Sequence, residues 1–114
     1  MFTIYHNPRC SKSRQTLALL EENNVEITIV EYLKTPLNEA DIKSLLTMLS
    51  LSPIEMMRTK EAEFKEQGLS DADDAALVQA MINTPKLIER PIVVNNGKAV
   101  IGRPPENVLQ LIEN

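Results

Sequence analysis

The stretch FTIYHNPRCSKSRQTLALLEENNVEITIVEY, residues 2–32, decides how the chain folds. Residues 2–6 are short, β-prone and end at Asn7-Pro8, which reads as a strand running into a turn. From Ser11 the rhythm becomes helical: Leu17 and Leu20, with Ala18 and Leu19 beside them, repeat up to Asn23-Asn24, and Ser11 or Ser13 is placed to cap. Cys10 therefore falls at or just before a helix N-terminus. EITIVEY, residues 26–32, then alternates Ile27, Ile29 and Glu31 with Thr28, Val30 and Tyr32. Both of its faces are largely apolar, which predicts an interior strand. A β-α-β unit of this length favours a parallel pair joined by a right-handed crossover.

Beyond Thr35-Pro36 the pattern is helical to residue 88. Asn38 is a candidate cap, Glu39 and Asp41 suit the positive end of a helix, and Ile42, Leu45, Leu46 and Leu49 share one face. Ser52-Pro53 opens a short helical turn through Met57, and another helix begins near Ser70, with Asp71, Asp73 and Asp74 ahead of Leu77, Ala80 and Met81. The sheet resumes after Pro91: residues 92–94 and 98–101 flank Asn96-Gly97, a two-residue hairpin signal that makes the pair antiparallel. Pro104 and Pro105 open a last helix, with Val108, Leu111 and Ile112 on one face. The order β-α-β, helical insert, β-β-α predicts an α/β fold. Its four-stranded mixed sheet carries packed helices and forms a single domain over residues 1–114, of which 36–88 are a mainly helical insertion.

Composition narrows the function classes. With 43% apolar and 25% charged residues the chain fits one globular core, and a net charge of −4 gives no positive field for a nucleic-acid backbone. Neither a polybasic cluster nor a run of roughly 18 apolar residues points to a membrane. A single cysteine forms no internal disulfide, and MFTIYHNPRC carries no basic leader ahead of an apolar run, so a reducing, cytoplasmic setting is expected.

HNPRCSKSR, residues 6–14, gathers the only histidine, the only cysteine and three basic residues. An unpaired cysteine is most often a small buried hydrophobe. Here, however, burial among Asn7, Arg9, Ser11, Lys12 and Ser13 would strand several polar groups, so an exposed, electropositive thiol is expected. A helix N-terminus, a donor from His6, and the charges of Arg9, Lys12 and Arg14 would each favour the thiolate. One histidine and one cysteine do not complete a structural zinc site, so no metal is expected. Cys10 and Arg14 are spaced Cys-x3-Arg rather than the Cys-x5-Arg of a phosphatase loop. Arg58, Arg90 and Arg103 lie at predicted element ends, where planar guanidinium groups are able to converge on an oxyanion.

Four segments in order, YHNPRCSKSR, MMRTKEAEFKEQGL, LIERPIVV and IGRPPENVLQLI, resemble the glutaredoxin-dependent arsenate reductase family across nearly the whole chain. That resemblance implies a thioredoxin-like fold with a helical insertion. It implies Cys10 as nucleophile, His6 as the group that keeps it ionised, and Arg58, Arg90 and Arg103 as oxyanion ligands, with Arg14 completing a His-x3-Cys-x3-Arg pattern. The Arg90-Pro91 bond is implied to be cis, which places Pro91 beside the thiolate. The implied activity is reduction of arsenate to arsenite with glutathione as co-substrate, glutaredoxin as partner and no tightly bound cofactor. Two alternatives stand beside it: a glutathione-linked thiol oxidoreductase without arsenate specificity, and a non-enzymatic thiol-stress regulator that binds RNA polymerase. Redox-switch regulators usually carry Cys-x-x-Cys, and here Ser13 occupies the place of the second thiol.

Overall fold

The computed structural model describes residues 1–112, which fall into two compact units. Met1–Thr35 and the segment from Arg90 onward make one; Pro36–Glu89 makes the other.

The first unit is built on a four-stranded sheet of order β2-β1-β3-β4. Its strands are β1 (Phe2–Tyr5), β2 (Ile27–Val30), β3 (Ile92–Asn95) and β4 (Lys98–Ile101). β1 pairs parallel with β2, with Ile4 opposite Ile29, and antiparallel with β3, with Ile4 opposite Val93. β3 and β4 form the antiparallel hairpin foreseen at Asn96-Gly97. Both turn residues have positive φ, 53° and 75°, which an Asn-Gly pair tolerates and which matches the twist of the flanking strands. This is the α/β, thioredoxin-like arrangement.

Helix α1 (Ser11–Glu22) joins β1 to β2. After β4, a 3₁₀ turn at Pro105–Val108 runs into the short α5 (Leu109–Ile112). Because side chains alternate along a strand, Phe2 and Ile4 share a face, and they bury with Leu20, Val93, Val108 and Leu111 as the core of this unit. Leu17, Leu19, Val25, Ile27, Val100 and Ile112 pack around them.

One strand departs from its prediction. β2 is a sheet edge rather than an interior strand, and Ile29 is 47% exposed. Apolar side chains on both faces suit an interior strand but do not require one, and single exposed apolar residues are ordinary at surfaces.

The second unit holds α2 (Glu39–Leu49), α3 (Ala62–Glu66) and α4 (Asp74–Asn83), with 3₁₀ turns at Pro53–Met56, Leu69–Asp71 and Pro85–Leu87. Asn38 caps α2 reciprocally with Asp41, and Asp73 caps α4 through the Ala76 N–H. α2 packs on α4, and Ile42, Leu45, Met56, Leu77, Met81 and Leu87 are buried. The five-residue α3 escapes a periodicity reading because it is too short to show one. Among the described residues no helix is long and apolar enough to cross a membrane.

Candidate functional site

The loop between β1 and α1 presents Cys10. Asn7-Pro8-Arg9-Cys10 is a β-turn in which the Cys10 N–H donates to Asn7 O at 3.0 Å, with proline at the position where its fixed φ helps. The Asn7 side chain reinforces the turn by accepting from the Arg9 N–H at 3.0 Å. Cys10 itself, not a serine, is the N-cap residue of α1: its backbone is extended, and its carbonyl accepts from the Arg14 N–H at 3.0 Å. No side chain caps the helix, so the N–H groups of its first turn remain free to act on the sulfur.

The thiol is buried, with 9% exposure, rather than exposed as the polar neighbours predicted. The side chains of Asn7 and Ser13 are hydrogen-bonded within the turn while Arg9 and Ser11 stay exposed, so the sulfur is covered without stranding its polar neighbours. Burial by itself would push the Cys10 thiol up. Opposing it are the Ser13 N–H, the Arg90 charge, the Lys12 N–H and a hydrogen bond from Arg90, and together they hold the thiol below its ordinary value.

Of the four arginines singled out, two come to the sulfur. Arg90 contributes charge and a hydrogen bond, and its Nε is buried with no hydrogen-bond partner among the described residues. Arg103 Nη1 lies 3.9 Å from Cys10 Sγ, a long contact, and the same nitrogen donates to Arg90 O at 3.2 Å. Arg90 therefore acts on the thiolate more strongly, while Arg103 ties the two arginine-bearing segments together. Arg14 instead donates to Pro8 O at 2.9 Å and braces the turn. Arg58 lies in the other unit, where its Nε and Nη2 meet Glu61 Oε2 at 3.1 and 3.0 Å.

His6 is buried, and its Nδ1 pairs with Ser13 Oγ at 2.6 Å. Ser13 Oγ also accepts the Asn7 N–H at 3.0 Å, which leaves its hydroxyl proton for the imidazole. Burial lowers the His6 pKa, Glu31 opposes and Arg14 assists, so the ring is held neutral more readily than a free histidine. The route from His6 toward the sulfur thus passes through Ser13, whose backbone N–H is the strongest favourable influence on the thiolate.

Three positions that composition and spacing could not single out complete the setting. The Arg90-Pro91 bond is cis, as is Arg103-Pro104, and the Gly102 N–H donates to Pro91 O at 2.9 Å. A Cβ on Gly102 would stand 2.6 Å from Thr16 Oγ1 and 2.9 Å from Pro91 Cγ, so only glycine fits between them. Thr16 is fully buried on α1 and its hydroxyl donates to Lys12 O at 2.8 Å. Asn107 Nδ2 donates to the carbonyls of Ile101 and Arg103, each at 3.2 Å, and so holds the Arg103 turn from behind. The GRPP spacing flagged Arg103 but said nothing of the groups that hold it.

With this geometry in view, comparison with known proteins is informative. The model of the ArsC family matches residues 5–111. The chain belongs to the ArsC family. A protein of Escherichia coli K12 named "Uncharacterized protein YfgD" is 57% identical over 96% of this chain and 94% of its own length. An arsenate reductase of Neisseria meningitidis is 47% identical over 92% of each chain. The solved structure of an arsenate reductase from Vibrio cholerae superimposes with a TM-score of 0.93 at 50% identity, covering 96% of both chains. As a member of the ArsC family the chain shares its α/β, thioredoxin-like fold with that structure.

Proposed function

We propose that this chain is an arsenate reductase that works through a Cys10 thiolate, with glutathione and glutaredoxin as reductants in the cytoplasm. The observation that carries the reading is the convergence, on one buried sulfur, of the Ser13 and Lys12 N–H groups, the Arg90 guanidinium and Arg103 Nη1. Donors that hold a thiolate also suit an oxyanion approaching it, and the unpartnered Arg90 Nε is a donor left over for that anion. The names of the Neisseria and Vibrio relatives point to the same chemistry.

The thiolate attacks arsenic, an oxygen leaves as water, and a sulfur–arsenic(V) bond forms. Glutathione supplies the second thiol, and two electrons pass to arsenic as the two sulfurs join. Arsenite leaves, and Cys10 remains as a mixed disulfide with glutathione. A glutaredoxin thiol then takes the glutathionyl group and frees Cys10. In sum, arsenate and two thiols give arsenite, a disulfide and water. A chain with one cysteine has no resolving thiol of its own, so the external reductant follows. One observation favours thiol exchange without an oxyanion instead: Arg58 is already paired with Glu61.

The test is arsenate-dependent NADPH oxidation by the purified protein with glutathione, glutaredoxin and glutathione reductase. Turnover that vanishes in Cys10→Ser is expected. Disulfide exchange with no arsenate-dependent rate would transfer the assignment to the alternative.

A further inference from the structure

The turn that presents Cys10 forms one wall of a cavity that the chemistry at the sulfur does not use. Its volume is about 360 Å³, with His6, Asn7 and Arg9 on one side and Glu31, Leu33 and Lys34 on the other. That size lies within the range of roughly 300–1,000 Å³ typical of small-ligand sites. Two cations, one anion and the apolar side chains of Pro8 and Leu33 line it, while His6 tends to neutrality. Glu31 and Lys34 stand 3.4 Å apart, with the lysine 81% and the glutamate 37% exposed, so both keep bonding capacity for a ligand.

We propose that this cavity seats the thiol reductant and that its ligand is glutathione, bound as a zwitterion beside the Cys10 turn. The inference rests on the arsenate reductase reading for the identity of the reductant. Glutathione carries two carboxylates and one ammonium, the mirror image of the lining: Arg9 and Lys34 take the carboxylates, Glu31 takes the ammonium, and Leu33 covers the methylene groups. A compact dianion such as arsenate would face Glu31 without gain, and an apolar ligand would leave the Arg9 charge unanswered. The cavity and the thiol share one structural element: Asn7, Pro8 and Arg9 wall the cavity, and the turn they form ends at Cys10, with its two ends within roughly 7 Å of each other at their α-carbons. Oxyanion and reductant thus occupy separate places, with the arginines serving one and the Arg9, Glu31 and Lys34 set serving the other.

The test uses S-methylglutathione, which binds but cannot react, and proton NMR of the imidazole of His6, the only histidine in the chain. The expected result is a saturable shift of the His6 resonance in the wild-type protein, with binding at least tenfold weaker in Arg9→Glu and in Lys34→Glu. In the coupled assay the same variants should raise KM for glutathione at least tenfold while KM for arsenate stays unchanged. Absence of the His6 shift, or charge reversals that leave binding and KM for glutathione unchanged, would overturn the site. Because the NMR titration contains no arsenate, binding that persists in a protein without arsenate turnover would remove the functional reading and support the cavity.

Discussion

Ser13 Oγ lies 2.6 Å from His6 Nδ1, and both side chains are buried. The position that would hold a second thiol in a Cys-x-x-Cys motif is thus spent on fixing the turn ahead of Cys10. Ser13→Ala would leave the imidazole nitrogen and the Asn7 N–H unpaired in a buried setting. A loss of about 1–3 kcal/mol in unfolding free energy is expected, read from urea denaturation. Ser13→Ala should also raise the Cys10 thiol pKa, because the N–H of residue 13 loses its anchor.

His6 gives the fold an acid-sensitive point. Its folded pKa is lowered, by burial first, so the unfolded chain binds the proton more readily. Stability is therefore complete above the ordinary histidine value of about 6.5 and falls as pH drops from there toward the lower folded value. Unfolding free energies of wild type and His6→Gln, measured between about pH 7 and pH 5, should converge as pH falls. Parallel curves would show that His6 is not titrating in this window.

Gly102 sets the distance between α1 and the end of β4. Gly102→Ala would force its new methyl against Thr16 and Pro91, at 2.6 and 2.9 Å. Overpacking of this kind costs about 1–3 kcal/mol, and the strain falls on the residue next to Arg103. Reduced thermal stability together with a lower arsenate rate is expected, and full activity in a destabilised protein would detach Gly102 from the site.

The arginines are not equivalent. Arg90→Gln should raise the Cys10 pKa clearly and Arg103→Gln only slightly, since Arg103 makes the long 3.9 Å contact. Loss of a guanidinium that meets the oxyanion should lower turnover on the order of a hundredfold. Arg58→Gln tests the residue whose charge is already engaged by Glu61. Unchanged turnover in all three variants would remove the oxyanion proposal.

Much of this was legible in the sequence because local signals and fold agree. Asn96-Gly97 dictates its hairpin by backbone preference and Asn38 dictates a helix start by hydrogen bonding, whereas the helix expected to begin near Ser70 starts at Asp74, because Asp73 caps it and Ser70 is taken up by a 3₁₀ turn. What was hidden depends on neighbours distant in sequence. β2 reads as interior, yet only pairing determines that it is an edge. The burial of Cys10 depends on hydrogen bonds that satisfy Asn7 and Ser13, and the need for Gly102 appears only once Thr16 and Pro91 stand on either side of it.

The most direct test of an arsenate-attacking thiolate is the rate of Cys10 alkylation by iodoacetamide as a function of pH, with and without arsenate. The account predicts a midpoint below the roughly 8.5 of a free cysteine and slower alkylation when arsenate is present. A midpoint at or above that value, with no protection by arsenate, would contradict it.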